Sequence, residues 1–75
     1  MADLFIDARD QLSPIPILQA GAALREAEEG QSIELVTSGE RSEIDVPAWV
    51  GDMGYDLKET VRGDDGCTHF VIIKA

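Results

Sequence analysis

Basic residues are scarce in this chain: six Lys and Arg stand against fifteen Asp and Glu, a formal net charge of −9 at pH 7. Such a surface repels phosphate backbones and anionic membranes, so direct nucleic-acid or membrane-surface binding is not expected. Cysteine occurs once, at Cys67, which excludes an internal disulfide and an all-cysteine metal site. The single histidine, His69, excludes a histidine-rich metal site, and no metal or other cofactor is expected. No apolar run approaches the roughly 20 residues needed to span a bilayer. The opening MADLFIDARD has no basic start followed by an apolar stretch, so no signal peptide is expected and the cytoplasm is the expected location.

What is present suits one small α/β domain over residues 1–75. A chain of this length buries roughly 60–65% of its unfolded surface and has no room for a deep cleft, so function should sit at an element end, on the surface or at an interface. Leu4-Phe5-Ile6 reads as a first strand, followed by a polar loop from Ala8 to Leu12. Ser13 before Pro14 is a strong helix start, a serine N-cap with proline in the first turn, and Pro16 is tolerated there because first-turn N–H groups lack intrahelical acceptors. Ile17, Ala20, Gly21, Leu24 and Ala27 recur at helical spacing, Arg25, Glu26, Glu28 and Glu29 supply the polar side, and Gly30 is the expected stop. Ser32 to Thr37 alternates as a half-buried strand, and a loop around Gly39 follows. Ser42-Glu43-Ile44-Asp45 resembles a capping box, predicting a second helix to about Met53 with Gly54 as its end. Pro47 implies that this helix starts near Asp45 or bends in its first turn. Tyr55 to Val61 alternates, with Leu57 and Val61 on one face. Gly63-Asp64-Asp65-Gly66 signals a hairpin, and Cys67 to Lys74 is the last strand. The order β-α-β-α-β-β predicts a two-layer α/β (α+β) sandwich: a four-stranded mixed sheet with two helices on one face and a right-handed, parallel first crossover.

The chemistry-bearing segment is Ser13-Pro14-Ile15-Pro16. A helix N-terminus gathers free N–H donors and the positive end of the peptide dipoles, so it favours an anion. A cysteine there would become a nucleophilic thiolate. A serine hydroxyl is not appreciably ionised at pH 7 without a base, and neither His69 nor any lysine is near it in sequence.

Asp7-Ala8-Arg9 through Leu12-Ser13-Pro14-Ile15-Pro16-Ile17-Leu18 resembles the TusA/SirA family of sulfur carriers, in which the motif reads cysteine-proline-x-proline. Asp45-Val46-Pro47-Ala48-Trp49, then Gly54, then Phe70-Val71-Ile72-Ile73-Lys74 are similar to the family pattern in the same order. The resemblance implies a persulfide carrier (a sulfurtransferase-like scaffold) that accepts sulfur on residue 13 and passes it on, with Pro14, Pro16, Asp7 and Arg9 as accompanying binding residues. It also implies protein partners: a cysteine desulfurase, a rhodanese-like enzyme or another relay protein. The motif cysteine is Ser13 here, the glycine usual before the motif is Asp10, and the Asp-Pro-Gly usual after the second strand is Ser38-Gly39-Glu40. With serine at 13, no sulfur transfer is expected at this position. A replaced cysteine, a relative that keeps only a binding role, and other serine chemistry stay open. A non-catalytic interaction or regulatory module on the same fold is the alternative.

Cys67 and His69 share a strand face, and the thiol reads as inert packing more readily than as a nucleophile. Trp49 reads as a packing residue, and Glu26, Glu28 and Glu29 as a solvated helix end. In the family's strand order, 1-2-4-3, Ile33, Leu35, Leu57, Phe70 and Ile72 would face the helices. Phe5, Val36, Val71 and Ile73 would then lie on adjacent strands of the open face, a patch suited to a homodimer or partner contact.

Overall fold

The computed structural model describes residues 3–12, 14–63 and 65–75. Ser13 and Asp64 lie outside the described residues, so the N-cap expected of Ser13 and the second position of the hairpin turn do too. The elements run β1 (Leu4–Ala8), α1 (Ile15–Glu26), β2 (Ser32–Ser38), α2 (Glu40–Met53), β3 (Asp56–Arg62) and β4 (Cys67–Ile73). The sheet order is β1-β2-β4-β3, with β1 and β2 parallel and both contacts of β4 antiparallel. This is the expected two-layer α+β architecture.

Strand periodicity decides the two faces. Ile33, Leu35, Phe70 and Ile72 are fully buried and form the core with Ala8, Ala20, Leu24, Val46 and Val50; Ile6, Ile17, Trp49, Tyr55 and Leu57 pack at its margin. Helix α1 buries Pro16, Ala20 and Leu24, one stripe at a spacing of four. Burying a leucine such as Leu24 stabilises the fold by about 1.5–3 kcal/mol. The Trp49 indole lies beside the helix interface, where a Cβ on Gly21 would stand 3.4 Å from its ring. It also meets Tyr55 edge-on with ring centroids 5.8 Å apart. Trp49 is therefore a packing residue, as its sequence setting suggests.

Several boundaries differ from the sequence reading. Helix α1 ends at Glu26 rather than near Gly30, because its last carbonyls find a partner outside the helix: Lys74 Nζ donates to Arg25 O (3.1 Å) and Ala27 O (2.7 Å). That ammonium sits at the negative end of the dipole and beside the glutamate-rich turn, which offsets the unfavourable placement of the acids there. Helix α2 begins at Glu40 with Gly39 as N-cap, so Ser42 is an interior, buried residue and not the start of a capping box. Tertiary contacts hold its first turn instead. The Glu43 carboxylate accepts from Thr68 Oγ1 at 3.0 Å and pairs with Arg62. Pro47 lies inside α2 rather than at its start or in a bent first turn. It removes one backbone donor, and burial of Val46 and Val50 on either side of it keeps the helix running. Gly54 ends α2 in the left-handed region at φ 77°, as its position predicts.

In β3 the register slips between Leu57 and Glu59. Leu57 pairs with Ile72 on the helix side, whereas Val61 pairs with His69 on the open side, so the two do not share a face. The open face is also not a continuous apolar patch. Glu34 stands between Phe5 and Val71 in the same cross-strand row, and Val36 is only 2% exposed. Phe5 is isolated at the β1 edge, so the continuity from which a homodimer through this face was expected is broken by Glu34.

Candidate functional site

The motif segment lies where β1 leaves the sheet and α1 begins. After Ala8, Gln11 N donates to Ala8 O at 3.2 Å, and Asp10 takes the left-handed conformation with φ 68°. This φ disfavours a Cβ, which accounts for the glycine usual at this position in the resemblance above. The Asp10 N–H donates to Ser38 Oγ at 3.0 Å. The departures at Asp10 and Ser38 thus meet in a single hydrogen bond. Ile15 N then donates to Leu12 O at 2.9 Å, and Leu18 N to Pro14 O at 3.0 Å. The N-cap of α1 among the described residues is Pro14, with Pro16 inside the first turn. A proline carbonyl can accept the first helical bond, and the missing N–H costs nothing at a helix start.

The four accompanying residues fall into three environments. Pro14 lines an open depression of about 590 Å³ with Leu12, Arg41 and Asp45. Arg41 Nε donates to Asp45 Oδ2 at 3.2 Å one turn along α2, so the positions flanking residue 13 face an ion pair. Pro16 is buried in the core and sets the helix on the sheet. Asp7 and Arg9 form a fork on the open side of the sheet: Arg9 Nε and one terminal nitrogen donate to the two carboxylate oxygens at 2.9 and 2.7 Å, and Arg9 N adds a bond of 3.1 Å. These bonds pull the Asp7 carboxyl down to about 2 and raise the Arg9 guanidinium further above its usual range.

A second depression, of about 440 Å³, joins Asp7, Arg9 and Asp10 to Asp65 and Cys67. Sequence separation hides this grouping, since it depends on Ser38 pairing with Cys67 across β2 and β4. Burial and then the Asp65 carboxylate push the Cys67 thiol up, which disfavours the thiolate and agrees with an inert packing role. His69 shares the face of Cys67, and its Nδ1 lies 2.7 Å from Glu34 Oε2. Among the described residues no group of three or more His, Cys, Asp or Glu could hold a metal ion, and no helix is long and apolar enough to cross a membrane.

Residues missed in the sequence but adjoining the motif are Leu12, Ser38, Arg41 and Asp45. Leu12 is 81% exposed, an apolar side chain left in solvent beside the motif. Ser38 had a signal, since it differs from the family residue. Arg41 and Asp45 had the i, i+4 spacing of a helical ion pair, but their placement across from the motif needed the fold.

The mixed four-stranded sheet packed against two helices defines a two-layer α+β scaffold, and the comparisons with known proteins agree with it. The family model described as Sulfurtransferase TusA matches residues 4–74, and the chain belongs to this family. It is 33% identical over 60 residues to a candidate sulfur carrier protein of Archaeoglobus fulgidus, covering 80% of this chain and 82% of that one. It is 34% identical over 64 residues to the candidate sulfur carrier protein YrkI of Bacillus subtilis, covering 84% and 85%. The crystal structure of a SirA-like protein from Desulfitobacterium hafniense superposes with a TM-score of 0.83 at 28% identity, covering 93% and 95% of the two chains.

Proposed function

We propose that this chain is a TusA-like sulfur-relay protein whose motif position no longer carries sulfur, because Ser13 stands where the family has its nucleophilic cysteine. The observation that carries this reading is the helix start itself. Two prolines bracket it, Pro14 capping α1 and Pro16 buried in its first turn, and each restricts the backbone of the helix start that directly follows residue 13 in the chain. A thiolate at that point would attack the outer sulfur of a donor persulfide. A new S–S bond would form on the carrier, the donor's S–S bond would break, and the donor would leave as a thiolate. A hydroxyl at pH 7 lacks both the ionisation and the polarisable sulfur that this exchange needs.

The partners on this reading are a cysteine desulfurase, a rhodanese-like enzyme or another relay protein, met in the cytoplasm, with no nucleic acid and no membrane. The exposed Leu12, Ile15, Leu18 and Ile44 near the helix starts offer an apolar contact area for them. The second reading is a non-catalytic interaction or regulatory module that docks on the same partners. Intact-mass measurement after incubation with a cysteine desulfurase and cysteine tests the proposal. Ser13→Cys should gain sulfur, while the unaltered chain should gain none. Sulfur on the unaltered chain that disappears in Cys67→Ala would move the carrier role to Cys67 and overturn the proposal. Failure of Ser13→Cys to load would show that the scaffold is not a carrier.

A further inference from the structure

Resting on the proposed function, we infer that Ser38 is a positioning residue, whose hydroxyl latches the turn through which the chain reaches position 13. The turn needs a latch because Asp10 is the one non-glycine residue held at positive φ among the described residues, and such a backbone persists only where its surroundings hold it. Three hydrogen bonds do so. Arg9 N to Asp7 Oδ1 and Gln11 N to Ala8 O are local to the turn, but Asp10 N to Ser38 Oγ, at 3.0 Å, ties it to the sheet.

The acceptor is well anchored. Ser38 is the last residue of β2 and pairs with Cys67, the first residue of β4, so the latch is fixed to the two central strands of the sheet. Cys67 N in turn donates to Asp65 Oδ1 at 3.0 Å, which fixes the adjoining hairpin. A serine suits this place. Its oxygen is short enough to stay beside its own strand, and it adds no further negative charge to those of Asp10 and Asp65.

The bond is exposed, so its loss should change local order much more than global stability. In the full chain, Ser38→Ala should speed amide exchange at Asp10 by about fivefold, the ordinary worth of one hydrogen bond, with the unfolding midpoint almost unmoved. Ser38→Thr keeps the acceptor and should restore slow exchange.

The functional readout uses Ser13→Cys with Cys67→Ala, alkylating the introduced thiol across pH. Adding Ser38→Ala should move the alkylation midpoint up by about half a pH unit, toward that of a free thiol, because the helix-start amides no longer hold one geometry. Adding Ser38→Thr should move it back. Unchanged Asp10 exchange in Ser38→Ala overturns the latch, and so does a Ser38→Thr chain that behaves like Ser38→Ala. If the introduced thiol titrates like a free one while Ser38 is intact, the proposed function fails instead, and the exchange measurement still decides the latch by itself.

Discussion

Thr37 and Thr68 face each other across the central strand pair, both on the helix side and both almost wholly buried, yet the same substitution should have opposite effects at the two. Thr37 Oγ1 is fully buried and has no hydrogen-bond partner among the described residues, whereas Thr68 Oγ1 donates to the Glu43 carboxylate at 3.0 Å. Leaving a hydroxyl buried and unpaired costs about 1–3 kcal/mol, while valine has nearly the same shape and no such cost. Thr37→Val should therefore stabilise the fold by about 1 kcal/mol, and a domain of this size should gain about 4–8 °C in Tm. Thr68→Val removes a donor to a charged acceptor and should destabilise by about 1–2 kcal/mol. The assay is urea unfolding followed by Trp49 fluorescence, with the slope against denaturant checked for constancy so that the change in midpoint reports stability. If Thr37→Val destabilises the protein as much as Thr68→Val does, the Thr37 hydroxyl has a partner and the reasoning is refuted.

Three other perturbations are equally specific. Gly21→Ala should stabilise α1 by about 0.5–1 kcal/mol, since alanine is the better helix former and the new methyl would meet the Trp49 ring at an acceptable 3.4 Å; a lowered Tm would show that the indole cannot yield. Lys74→Met should destabilise by about 1 kcal/mol and fray the last turn of α1, visible as faster amide exchange near Ala27, because two helix-end carbonyls lose their donor. The Asp7 carboxyl is lowered by Arg9 from its ordinary 3.8 to about 2, so its stabilising contribution is fully present above pH 3.8 and is lost as pH falls through about 2. The Tm gap between the protein and Asp7→Asn should stay constant from pH 5 to 8 and close only in that acid window; a gap that closes near neutrality would assign the effect to another group.

Much of this protein is local in origin and so was legible in its residues. Strand alternation decides which of Ile33, Leu35, Phe70 and Ile72 point inward, because the side-chain period of a strand allows no other choice. The three-four spacing of α1, the left-handed stop at Gly54 and the paired prolines at the helix start are likewise short-range, and they carried both the architecture and the family. Tertiary structure alone decided what depends on partners distant in sequence. The end of α1 is set by Lys74 and the start of α2 by Thr68 and Arg62 on β4 and β3, both stronger than the local signals at Gly30 and Ser42. The bulge that separates Leu57 from Val61 answers to the register of β4, and Glu34 interrupts the open face because strand order brings it between Phe5 and Val71. The link from Asp10 to Ser38 spans 28 residues and exists only once β1 and β2 lie side by side.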